Sequence, residues 1–142
     1  MEKYIHKIQY YETDKMGVTH HSNYVRFMEE ARIDFLTKAG YGYDKLESIG
    51  LMSPVIEVNG EYKKSTTFND ELVIDVKIKD YNGVRITFLY EMQNLETGEI
   101  VFCGESKHCF ISGSGVPKII KREFPEIHER IMKIVSDGGI LL

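Results

Sequence analysis

Asp14 and His21 bracket a loop that carries Gly17, and directly beyond it the chain takes up helical apolar spacing. A carboxylate held beside the first amides of a helix supplies a base or nucleophile together with a stabiliser for developing negative charge. Taken alone, an Asp-x-x-Gly in a loop is more often a side-chain turn, so Asp14 gains meaning only from its neighbours. Three other groupings hold chemistry-bearing side chains. His20 and His21 are adjacent, and on an extended segment their rings are expected to point apart, which denies them a shared metal. Lys63, Lys64, Ser65 and Thr66 make a basic, hydroxyl-rich strand end that suits phosphate groups or, equally, a solvated edge. Lys118, Lys121 and Arg122 precede the last helical segment and read as a solvated face.

The elements that must position these groups are legible from periodicity. Tyr4 to Tyr11 has strand-like spacing. From Ser22 to Ala39, Tyr24, Phe27, Met28, Ala31, Phe35 and Ala39 fall on one helical face, Val25 and Leu36 widen it, and Gly40 is placed to end it. So broad a face predicts a helix embraced by something curved. Arg32 lies within that face and needs a partner, for which Glu29 is correctly spaced. Tyr43 to Ile49 predicts a short second helix. Strand patterns follow over Ser53–Lys64, over the alternating Leu72, Ile74, Val76 and Ile78, over Val84–Met92 after a two-residue Asn82-Gly83 turn, and over Glu99–Ile111. Asn59-Gly60 suggests a bulge or a close backbone approach, and Gly104 a bend. Pro125 opens a final helix with Phe124, Ile127, Ile131, Ile134 and Val135 on one face, ended by Gly138-Gly139.

One strand, one broad-faced helix and a meander of four strands predict a single α+β domain over residues 1–142, its antiparallel sheet curled round the helix. Such a sheet leaves an open edge, and edge-to-edge pairing of two copies is the natural way to cover it. The net charge of −4 and the absence of a basic arm argue against nucleic acid. Neither an export signal nor an apolar run of about 18 residues occurs, so a cytoplasmic protein without a transmembrane segment is expected. Cys103 and Cys109 share one strand face and are expected to be reduced packing residues, and the spacing does not suit zinc.

The pattern Tyr11-x-Thr13-Asp14-x-x-Gly17-Val18-x-x-His21-x-Asn23-Tyr24-x-x-Phe27-x-Glu29-x-Ala31-Arg32 resembles the signature of the hotdog-fold thioesterases of the 4-hydroxybenzoyl-CoA type, the YbgC-related acyl-CoA thioesterases in particular. The resemblance is dense over residues 10–36, and the element order fits through Ile111. It implies a hotdog fold: a long central helix wrapped by a curved five-stranded antiparallel sheet, with a C-terminal helix added. It also implies hydrolysis of an acyl-CoA thioester to a free acid and CoA, at sites on the interface of a homodimer, or of a dimer of dimers. Asp14 stands at the family's catalytic carboxylate, as nucleophile or general base. His21 stands where the backbone amide contacts the thioester carbonyl. Gly17, Val18, Asn23 and Tyr24 fall on the substrate side, and Asn23, Tyr24, Glu29 and Arg32 match positions that build the site. No cofactor is implied, because CoA belongs to the substrate. Lys63, Lys64, Ser65 and Thr66 are candidate contacts for its phosphates, and Phe27, Met28 and, from either protomer, strand residues such as Val55 and Ile56 for the acyl chain. An acyl carrier protein thioester is the other candidate partner. Ser22 departs from relatives that carry Pro there.

Two alternatives stand beside this. A hotdog hydratase or dehydratase would show a tighter Asp-to-His spacing with Pro between, where this loop has Gly17 and no Pro. A non-catalytic acyl-thioester binding protein would not need an ionised Asp14.

Overall fold

The computed structural model describes residues 2–142. Its elements run β1 (Tyr4–Lys7), α1 (Asn23–Lys38), α2 (Tyr43–Ser48), β2 (Leu51–Met52), β3 (Val55–Tyr62), β4 (Glu71–Tyr81), β5 (Arg85–Asn94), β6 (Ile100–Cys109), β7 (Ile111–Ser112), α3 (Ile120–Glu123) and α4 (Pro125–Ser136). Leu72, Ile74, Val76 and Ile78 all turn inward from β4, as their alternation requires. Ile86, Phe88, Tyr90 and Met92 do the same from β5, and the two rows make the floor on which α1 lies. The helix buries Tyr24, Phe27, Met28, Ala31, Arg32 and Phe35 against that floor. Each large apolar side chain so buried contributes about 1.5–3 kcal/mol. Val25 stays outside this arc, 46% exposed.

The five strands are antiparallel in the order β1-β4-β5-β6-β3, with a separate β2-β7 pair. The four-strand meander expected from sequence is therefore a three-strand one, because β3 lies not beside β4 but at the far edge, on β6. Its burial explains the position: every residue of β3 is exposed, so it lacks the inward row that a central strand needs. The close approach suggested by Asn59-Gly60 is present. Gly60 faces Gly104 across the ladder, and a Cβ on Gly60 would lie 2.3 Å from the Phe102 ring.

Other boundaries move for identifiable reasons. The first strand stops at Lys7, and Tyr10–Glu12 forms a 3-10 turn because the Glu12 carboxylate accepts the Gln9 amide at 2.7 Å. The final strand breaks at the buried Phe110, after which Ile111 and Ser112 pair with Met52 and Leu51. The β4–β5 turn sits one residue later than expected: Asn82 pairs with Arg85, and its side chain accepts the amides of Val84 and Arg85, leaving Gly83-Val84 at the tip. The expected Glu29–Arg32 pair does not form. Glu29 is exposed, while Arg32 stays in the buried arc and donates to the Tyr90 hydroxyl at 3.1 Å. Cys103 and Cys109 are free and half-buried, on the β6 face turned away from the core row of Phe102, Gly104, Ser106 and His108. No helix among the described residues is long and apolar enough to cross a membrane.

Candidate active site

Asp14 is fixed by a compact loop. Its amide donates to Val18 at 2.8 Å, its carbonyl accepts from Gly17 at 3.0 Å, and Oδ1 accepts the Met16 amide at 2.8 Å. Gly17 closes this turn at φ +81°, a conformation that disfavours any side chain. The two arms meet at a Thr13–Thr19 bridge, and the loop is sewn to the segment after β3 by Thr19 N–H to Thr66 O (2.8 Å) and by Thr67 Oγ1 to Gly17 O (2.8 Å). The Asp14 Oδ2 atom has no protein donor among the described residues, so one oxygen of the carboxylate is uncommitted.

At the other end of the loop, His20 and His21 begin the turn into α1. Their rings stack, with centroids 4.3 Å apart, rather than pointing apart as on an extended segment, because the chain is already turning here. His20 Nδ1 accepts from the Ser22 amide at 3.2 Å and from its hydroxyl at 2.8 Å, so a side-chain ring bonds the helix start where Pro would have stiffened it. The amides of Asn23 and Tyr24 donate to the carbonyls of His20 and His21. That of His21 has no acceptor among the described residues and remains a donor at the surface.

An open cavity of about 280 Å³ is lined by Asp14, Met16, Val18, Thr19, His21, Tyr24, Tyr62, Lys63, Lys64 and Ser65. Seven residues singled out in the sequence thus come together: Asp14, Val18, His21, Tyr24, Lys63, Lys64 and Ser65. Lys63 and Lys64 make only loose, exposed pairs at 3.4 Å with Glu61 and Glu99, so their charges stay available. Gly17 contributes its turn rather than a wall. Asn23 is turned to the back of the loop, where Nδ2 donates to the Glu12 carbonyl at 2.9 Å. Thr66 is 2% exposed, and its hydroxyl is spent on Thr19 (2.6 Å) and Tyr24 (2.8 Å). Phe27 and Met28 are buried in the core, whereas Val55 and Ile56 are exposed on β3, so the four do not form one slot within the chain.

Two contributors escaped the sequence reading. Tyr62 walls the cavity, packs on Tyr24 and Phe102 with centroids 5.2 Å from each, and donates to the His21 carbonyl at 2.9 Å. Glu12, 1% exposed behind the loop, accepts from His6 Nε2 (2.9 Å), from the Gln9 amide and from Arg26, while its carbonyl accepts the His20 amide at 2.8 Å. Burial alone would raise its carboxyl, but the Arg26, Gln9 and His6 bonds outweigh this and hold it below the usual range. Glu12 is therefore an ionised anchor beneath the loop. A buried carboxylate two residues from Asp14 leaves no periodic signal, and only its charge at a loop start could have marked it.

The sequence and the wrapped helix match a known design. The pattern of the thioesterase-like superfamily fits residues 8–134. The chain belongs to that superfamily. The putative acyl-CoA thioesterase YneP of Bacillus subtilis is 33% identical over 123 residues, 86% of this chain and 88% of its own. The DHNA-CoA thioesterase of Staphylococcus aureus superposes with a TM-score of 0.88 at 32% identity, covering 99% of this chain and 96% of that one. A second Staphylococcus aureus protein, solved in complex with CoA, shares the fold at a TM-score of 0.85 and 16% identity, over 100% and 90% of the two chains. The thioesterase thus has the hotdog architecture, its five strands wrapped on α1 and α4 added at the C-terminus.

Proposed function

We propose that this thioesterase hydrolyses an acyl-CoA whose thioester carbonyl sits at the start of α1, with Asp14 as the reacting carboxylate. The observation that carries the reading is that Asp14, with one carboxylate oxygen uncommitted, and His21, with its amide acceptor-free, line the same cavity. As an oxygen attacks the carbonyl, charge grows on the carbonyl oxygen, and a fixed N–H donor at that point is worth about 3–4 kcal/mol in comparable sites. Asp14 either attacks directly, giving a mixed anhydride that water cleaves, or takes a proton from the attacking water. In both routes a C–O bond forms, the C–S bond breaks, and CoA leaves as the thiol. Lys63, Lys64 and Ser65 at the cavity wall suit the CoA phosphates. The names of two of the relatives above 30% identity, an acyl-CoA and a DHNA-CoA thioesterase, support a CoA thioester as substrate.

A homodimer completes the site in this reading. β3 is an exposed edge with Val55, Ile56 and Val58 bare, and antiparallel pairing with a second copy would bring one chain's Val55 end beside the other's Tyr62. The acyl slot would then draw Val55 and Ile56 from the partner, and two such dimers could associate further. The test is thiol release across acetyl, medium-chain, long-chain and aryl CoA thioesters and an acyl carrier protein thioester, run beside Asp14→Asn. Release that is lost in Asp14→Asn is expected. Hydration of an enoyl-CoA without thiol release, or undiminished release by Asp14→Asn, would overturn the assignment.

A further inference from the structure

On the far side of the core from Asp14, between the C-terminal half of α1, α2 and α4, lies a second cavity. Its wall is almost wholly apolar, with Phe35, Phe88 and Ile127 prominent, yet Arg32 and Arg130 are among its lining residues and no Asp or Glu is. Arg32 is 6% exposed. Its Nη1 donates to Tyr90 at 3.1 Å, Tyr43 and His108 are its other polar neighbours of note, and no acid pairs with it among the described residues. Arg130 donates to the Ala39 carbonyl at 3.1 Å, a neutral acceptor at the end of α1.

The hydrogen-bond chain leading away from Arg32 cannot supply the missing charge. His108 Nδ1 must donate to the Ser53 carbonyl at 3.1 Å. Burial and the Arg32 charge push the His108 imidazole down to about 4, so it is neutral and its Nε2 accepts from Ser106 at 2.8 Å. With that proton committed, Ser106 accepts from Tyr90 at 2.6 Å, and the Tyr90 oxygen in turn accepts from Arg32. Every link is neutral and every donor points away from the guanidinium. A buried cation without an anion is strongly disfavoured, so one is to be sought in the cavity.

We infer that this cavity is a binding site for a short monocarboxylate, seated against Arg32 with its alkyl end on the apolar wall. A planar guanidinium matches a carboxylate bidentately, which favours this class over a spherical halide. The free volume, about 50 Å³, exceeds what one water needs and is far too small for a CoA thioester. The inference does not depend on Asp14, although carboxylic acids are also what a thioesterase releases.

The test uses the full chain at fixed pH and ionic strength, with sodium acetate replacing sodium chloride. Thermal unfolding and ¹³C-acetate NMR are read in the wild type, in Arg32→Met, and in Ile131→Phe, which fills the cavity and leaves both cations in place. A saturable rise in Tm of about 2–4 °C is expected in the wild type. Acetate affinity should fall at least tenfold in both variants. Should Arg32→Met fail to fold, the wild type and Ile131→Phe carry the comparison. Absence of saturable acetate binding, an equal effect of chloride, or equal affinity in Ile131→Phe would overturn the site.

Discussion

Tyr62, the last residue of the edge strand β3, donates its hydroxyl to the His21 carbonyl at 2.9 Å and so ties the open edge of the sheet to the start of the central helix. The strand proposed to meet a second subunit is thereby the strand that holds the proposed carbonyl-binding turn. Tyr62→Phe keeps the ring packing on Tyr24 and Phe102 and removes only this bond. Losing a bond of about 0.5–1.5 kcal/mol from the reacting geometry predicts a fall in kcat of roughly three- to tenfold with KM little changed. A change confined to KM in steady-state kinetics would refute that role.

Asp14→Asn tests the chemistry without dismantling the loop, because an amide oxygen can still accept the Met16 N–H that Oδ1 accepts now. Thiol release should drop by about 10²-fold or more. The thermal midpoint should stay within a degree or two of wild type, which separates lost chemistry from lost folding.

Gly60→Ala places a Cβ 2.3 Å from Phe102 Cζ, where the ring is already packed on Tyr24 and Tyr62. The ring must move, and overpacking of this kind costs about 1–3 kcal/mol. Because the displaced ring supports Tyr62, denaturant unfolding should show the loss of stability together with weakened turnover. Unchanged stability would mean that the edge yields more freely than its packing indicates.

His108 gives the fold a specific acid sensitivity. Its imidazole is held near 4 by burial and by Arg32, against about 6.5 in an unfolded chain, so the unfolded state binds the extra proton first. Stability from this residue is complete above pH 6.5 and declines as pH falls from there toward 4, by about 3 kcal/mol at most. The difference between wild type and His108→Gln in urea midpoints across that range isolates the residue from the carboxylates. A difference that does not change with pH would contradict the buried, neutral assignment.

Glu12→Ala would leave His6 and Arg26 with Glu30 as their remaining acid and release the Gln9 amide. Because Arg26 is partly exposed and keeps Glu30, the cost expected is that of lost hydrogen bonds to a charged group, about 1.5–3 kcal/mol. Hydrogen exchange should quicken first at the His20 amide, which bonds the Glu12 carbonyl.

Much of the architecture is legible in the order of residues along the chain. The α1 face, the alternation of β4 and the C-terminal helix follow from spacing alone, because each repeats a pattern that only one element geometry buries. The loop from Asp14 to His21 is legible as a candidate site because a carboxylate, a glycine and a helix start lie within a few residues of one another. The partner of Arg32 is not: local spacing offers Glu29, and the actual acceptor, Tyr90, lies across the sheet. Nor is the fate of Thr66, whose hydroxyl is consumed by two residues far away in sequence.

By itself, then, the sequence determined the long helices and strands, most of the faces they bury, and which short segment carries the carboxylate proposed to react, since all of these are set by neighbours along the chain. Tertiary structure alone decided that β3 crosses to the open edge beside β6, that Tyr62 reaches the His21 carbonyl, and that Arg32 faces an apolar cavity without an acid. Those relations depend on which strands pair and on what a side chain meets across the core, and neither leaves a mark in local spacing.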